Sequence, residues 1–159
     1  MSAQVDASAL TTATLAAAAS FGQVEVNLPP GAVGDPTRLV MSTFYTPTEP
    51  APENKVLIGR GFRLEAYRDN QPQPGFRVGE TISLTVPFSL SASSQVDANT
   101  LQLHAWDGSQ WSADGLTCAV DSGQNVVKCT ADTPTLTQFA LFADAPVAGC
   151  SRAIRRALC

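Results

Sequence analysis

Apolar and polar residues alternate with period two along most of this chain, the spacing of strands that bury one face and wet the other. Val24, Val26 and Leu28 interleave with Glu25 and Asn27, and Phe62, Leu64 and Ala66 with Arg63, Glu65 and Tyr67. Ile82, Leu84, Val86 and Phe88 interleave with Thr81, Ser83, Thr85 and Pro87. The same reading predicts strands near 38–45, 100–106, 116–120, 125–130 and 137–143. Turn-rich stretches such as Pro29-Pro30-Gly31 and 69–75 separate them, and Pro47, Pro50 and Pro52 mark 46–54 as a surface loop. About eight short strands divided by Gly and Pro turns predict an all-β fold, an antiparallel β-sandwich with a short C-terminal tail. The sandwich domain is expected over 22–144. Before it, 1–21 holds an apolar stretch at 9–19 that fits a strand or a helix equally well. After it, 145–159 is a basic tail in which 151–158 fits a short helix.

A chain of 159 residues suits one domain with a real hydrophobic core. Its 44% hydrophobic and 15% charged content exclude a disordered tail. The net charge of −4 understates how acidic the body is. Arg152, Arg155 and Arg156 all lie in the last ten positions, so only seven of the ten basic residues face fourteen acidic ones before residue 150. Such a body has no electrostatic footprint for nucleic acid. With Lys55 and Lys128 the only lysines, it also lacks a lysine-rich patch for anionic lipid. No apolar run approaches the roughly 20 residues of a membrane-spanning helix, and 9–19 has no basic residues ahead of it, so it is not expected to be a signal peptide.

Four cysteines allow three pairings. If Gly123-Gln124 is a two-residue hairpin turn, Cys118 falls directly opposite Cys129. A disulfide between them would contribute about 3 kcal/mol and would imply an oxidising compartment. Cys150 and Cys159 would stand about 13 Å apart on one helix, beyond disulfide reach, and could pair only if the tail bends back or with another chain.

The sequence is poor in catalytic signals. His104 is the single histidine, which excludes a polyhistidine metal site, and it lies on the Gln102 side of its strand, where it is expected to be exposed. No phosphate-binding loop, GxSxG elbow, HExxH or CxxC occurs, and no cofactor is expected. Asp107, Asp114 and Asp121 recur every seven residues in successive turns, a pattern of solvated turn aspartates rather than a calcium loop. The segment Trp106-Asp107-Gly108-Ser109-Gln110-Trp111 predicts a hairpin with both indoles at its base. Trp106 and Trp111 would then form a cross-strand pair covering the sandwich edge, or stack on sugar rings as a carbohydrate-binding site.

Trp111, Cys118, Cys129 and the run Leu136-Thr137-Gln138-Phe139-Ala140-Leu141 resemble the proteolysis-site motif that closes the GAIN domain of adhesion receptors. That motif has a Trp, cysteines, and then His-Leu-Thr-x-Phe-Ala. Upstream, Val24-Glu25-Val26-Asn27-Leu28-Pro29-Pro30-Gly31-Ala32-Val33 resembles the opening strand and turn of the related sandwich module of ankyrins and netrin receptors, and is similar to modules in large bacterial surface proteins. The resemblance implies a sandwich whose last strands hold a self-cleavage site, with Thr137 as nucleophile on the Leu136 carbonyl. The His position falls on Thr135, whose hydroxyl is no base near neutral pH. The expected function is therefore a non-catalytic structural or adhesive module, extracellular or at the cell surface, whose partners are other domains of a larger surface protein or a surface polymer. Its rivals are an active autoproteolytic module cleaving at Leu136-Thr137 and a carbohydrate-binding module.

Overall fold

Two antiparallel sheets packed face to face make up the chain, in a computed structural model that describes residues 2–7, 12–19, 22–34, 36–45, 47–90 and 95–146. Thirteen strands occur among the described residues: β1 (Ser2–Ala7), β2 (Ala13–Ala19), β3 (Gly22–Leu28), β4 (Thr37–Tyr45), β5 (Lys55–Leu57), β6 (Gly61–Arg68) and β7 (Gln71–Pro72) come first. They are followed by β8 (Ile82–Pro87), β9 (Gln102–Trp106), β10 (Trp111–Ser112), β11 (Leu116–Asp121), β12 (Val126–Ala131) and β13 (Gln138–Asp144). The larger sheet has eight strands in the order β1-β4-β6-β13-β9-β10, with β5 added on β13 and β7 on β6. The smaller has five, in the order β11-β12-β8-β3-β2.

The inner faces of both sheets carry the residues that the alternation singled out. Val24, Val26 and Leu28 of β3, and Ile82, Leu84 and Val86 of β8, meet Phe62, Leu64 and Ala66 of β6 and Phe139 and Leu141 of β13 in one core. Phe62 and Phe139 stack with ring centroids 5.3 Å apart and planes 14° from parallel. Burying a side chain of this size is worth roughly 1.5–3 kcal/mol, so the inner faces hold the two sheets together. Gly61 lets β6 approach β13 closely. A Cβ there would lie 2.7 Å from the Phe139 carbonyl oxygen.

All eight expected strands are present, and five more join them. The sandwich begins well before residue 22, because β1 is an edge strand of the larger sheet and β2 pairs with β3 through the whole of the smaller sheet's edge. The alternative of a helix over 9–19 is replaced by strand over Ala13–Ala19. Alanine, with little contrast between faces, left that choice open in the sequence; burial of Ala13, Leu15 and Ala17 in the core decides it. β7 arises from a two-residue turn in which Asp69 and Asn70 both adopt positive φ, 50° and 61°, as a primed hairpin turn requires. β5 and β6 are separate strands that pair one after the other along β13. Phe142 faces Leu57 while Phe139 faces Phe62, and the connecting residues include Gly59 at φ +70°. β13 ends at Asp144. The helix expected at 151–158, with Cys150, Cys159 and the three tail arginines, lies outside the described residues.

Candidate functional site

The outer face of the larger sheet is also buried along β9, β10 and β13. In the run Phe139-Ala140-Leu141-Phe142-Ala143 both faces are apolar, the mark of a strand covered on two sides. Ala140 and Phe142 point outward and form a second small core with Trp111, which is 7% exposed, backed by Leu57 and Trp106. The loop ahead of β5 reaches over part of this face. Pro47 approaches Gly61, and Gln138 Nε2 donates to Glu49 Oε1 at 3.1 Å, a hydrogen bond that holds the Glu49 carboxyl below its usual pKa.

Trp106 and Trp111 face each other at the base of a four-residue loop closed by Asp107 N–H donating to the Gln110 carbonyl at 3.0 Å. Asp107 shapes that loop. Its Oδ1 accepts from Ser109 N–H (2.8 Å), Gln110 N–H (2.8 Å) and Ser109 Oγ (3.0 Å), and the backbone donors lower the carboxyl pKa. The two indoles meet edge to face, centroids 5.5 Å apart, and Trp111 in turn lies edge-on to Phe142 at 5.3 Å. Trp111 is therefore a packed residue, whereas Trp106 stays half-buried.

His104 is the clearest correction. It occupies the expected face of its strand, but that face is covered. The ring is buried, lies edge-on to Phe142 at 5.2 Å and places Nδ1 3.0 Å from the Gln102 carbonyl oxygen. Desolvation lowers its pKa, so the neutral form prevails at neutral pH.

The segment resembling a cleavage site runs beside the tryptophan hairpin. Leu136 is buried in the main core, with its N–H donating to the Phe76 carbonyl at 2.8 Å. Thr137 precedes β13 rather than opening it. Its carbonyl accepts from Leu64 N–H at 2.9 Å, and its Oγ1 donates to the Trp106 main-chain carbonyl at 3.0 Å. Thr135 is exposed and bridges Arg77 in the backbone, while the Arg77 side chain holds the carbonyl and hydroxyl of Thr133. An open cleft of about 490 Å³ is lined by residues of both segments, among them Trp106, Asp107 and Asp114 of the hairpin region and Thr135, Leu136 and Thr137. The two candidate sites of the sequence thus border the same depression. Neither period nor spacing could signal that meeting, which arises because β9 pairs with β13.

Cys118 and Cys129 form a disulfide on facing positions of β11 and β12, Cα atoms 4.1 Å apart. The turn between them has four residues, 122–125, rather than two, with Asn125 at φ +54° and Gln124 N–H donating to Asp121 Oδ1 at 3.1 Å. It widens evenly about its centre, so the register stays as expected. Cys129 is buried and Cys118 half-buried beneath Gln102, whose Nε2 is 3.4 Å from Cys118 Sγ. Among the described residues no group of three or more His, Cys, Asp or Glu side chains is arranged to hold a metal ion, and no helix is long and apolar enough to cross a membrane. No protein-family model matches the chain, and no curated protein is significantly similar to it.

Proposed function

We propose that this chain is a non-catalytic structural or adhesive module of an extracellular or cell-surface protein, with the architecture of a self-cleaving sandwich and an intact Leu136–Thr137 bond. The reading is carried by the Thr137 hydroxyl. It spends its proton on the Trp106 carbonyl oxygen, an acceptor far too weakly basic to take that proton in a reaction. General-base assistance is worth roughly 10² to 10⁴ in rate, and Thr135, at the position that would supply it, carries only a hydroxyl. His104 is engaged on the outer face, with its Nδ1 against Gln102 and its ring against Phe142. The Cys118–Cys129 disulfide supports an oxidising compartment. The acidic body favours partners other than nucleic acid, namely neighbouring domains or a surface polymer. Intact-mass measurement after prolonged incubation at neutral pH tests the reading. One species covering residues 1–159 is expected, and a fragment beginning at Thr137 overturns it.

A second reading, a carbohydrate-binding module, is favoured by the cleft beside Trp106. Half-buried Trp106 borders it together with carboxylate and hydroxyl side chains, the mixture of aromatic and polar groups that small-molecule sites use. Glycan-array binding lost in Trp106→Ala, with the fold intact, would establish it. A blank array would leave the structural reading alone.

A further inference from the structure

The described residues contain two Asp-Gly pairs, Asp107-Gly108 and Asp114-Gly115, and both lie beside the cleft. Asp-Gly is the dipeptide most open to backbone rearrangement, because no side chain shields the glycine nitrogen. That nitrogen attacks the aspartic acid Cγ, a C–N bond forms, and the amide hydrogen leaves with the carboxyl hydroxyl as water. The five-membered succinimide then takes up water. Opening at one carbonyl restores Asp, and opening at the other gives isoaspartate, in which the main chain runs through the former side chain. Mass is conserved and no co-reactant other than water is needed. The reaction demands a carboxyl free to turn toward the next nitrogen and a nitrogen free to receive it.

The two pairs differ sharply in these demands. Asp107 is locked, since Oδ1 accepts from two backbone N–H groups and one hydroxyl at 2.8–3.0 Å, all on the far side of Gly108. Closing the ring there means breaking charge-assisted hydrogen bonds. Asp114 contributes only its backbone N–H, which donates to Ser112 Oγ at 3.1 Å, and among the described residues no donor holds its exposed carboxylate. The turn around it is closed by Leu116 N–H to the Ala113 carbonyl and by Asp132 N–H to the Gly115 carbonyl, both at 3.0 Å, so neither bond engages the Gly115 nitrogen. Gly115 sits at φ +75° in the third position of this four-residue turn, as a type II turn requires.

We infer that Asp114-Gly115, and not Asp107-Gly108, is the site at which the folded protein forms isoaspartate. The product places an extra methylene in the main chain between β10 and β11 and re-aims the Asp114 carboxylate at the edge of the cleft. The inference stands whether or not the cleft binds a ligand.

The test is to hold the oxidised full chain near pH 6 at 37 °C, digest it at intervals, and quantify isoaspartate in the two peptides by electron-transfer fragmentation. A parallel sample in urea with the disulfide reduced serves as the unfolded reference. In the folded protein isoaspartate should accumulate at Asp114 at least about tenfold faster than at Asp107, the factor expected when one hydrogen bond to a charged group must break. In urea the two rates should converge. Equal rates in the folded state, faster conversion at Asp107, or no conversion at Asp114 while the urea sample converts would each overturn the inference. Asp114→Glu, which disfavours the five-membered ring, should abolish the signal at that position.

Discussion

Trp111 packs edge-on against Phe142 on the outer face of the larger sheet, ring centroids 5.3 Å apart. A two-residue strand thereby acts as the lid of a second hydrophobic cluster, so its tryptophan carries stability and Trp106, half-buried beside the cleft, carries less. Trp111→Ala should cost about 3–5 kcal/mol, the range for removing a buried large aromatic, and Trp106→Ala clearly less. Urea titrations of the two variants decide this. Equal losses, or a smaller loss at Trp111, would contradict the assignment of roles.

The buried His104 makes stability depend on pH in a defined direction. Its folded pKa is lowered by desolvation, so the unfolded chain binds a proton that the folded one resists. Stability is then complete above the unfolded value of about 6.5 and declines as pH falls from there toward the folded pKa. Asp107, also lowered in the folded state, adds its own loss only in the more acidic range below its ordinary carboxylate value. Replacing His104 with Phe should flatten the urea midpoint between pH 7.5 and 5 while leaving the acid limb in place. An unchanged slope would show that the ring does not resist protonation.

The disulfide joins positions that already face each other in a paired hairpin, and it closes a short loop, so its contribution should be about 3 kcal/mol. Cys118→Ala with Cys129→Ala should lower stability by that amount and leave the strand signal in circular dichroism. Non-reducing peptide mapping should recover one cross-linked pair containing both residues. Free alkylation of both thiols in protein made under oxidising conditions would remove the principal support for an extracellular home.

Gly61 is set against the backbone of β13, where an added Cβ would meet the Phe139 carbonyl oxygen at 2.7 Å and Pro47 at 3.4 Å. Backbone cannot swing aside as a side-chain end can. Gly61→Ala should therefore destabilise by about 1–3 kcal/mol, as overpacking does, despite alanine's smaller entropic cost on folding. A neutral or stabilising result would mean that β6 and β13 separate more easily than their register suggests.

The eight principal strands were legible because each buries one face, and one-sided burial writes a period of two into the residues themselves. The facing of Cys118 and Cys129 was equally local, since hairpin register follows from the turn's centre and survived its enlargement from two residues to four. Where the local signal is weak the sequence does not mark a strand. The alanines of β2 differ too little between faces to reveal a strand, and β5 and β7 are too short to show a period, whereas β10 is marked by the hairpin that sets Trp111 opposite Trp106. The state of His104 lay outside the sequence's reach. Alternation assigned its face, but only tertiary structure decides whether a face meets water. The ring is buried and lies edge-on to Phe142, which belongs to a strand far along the chain. The same is true of Thr137, whose hydroxyl is committed to Trp106 only because β9 and β13 lie side by side. Periodicity thus determined which residues form strands and which way they point. What each face or hydroxyl encounters depends on contacts between segments far apart in the chain, and those are settled when the sheets close on one another.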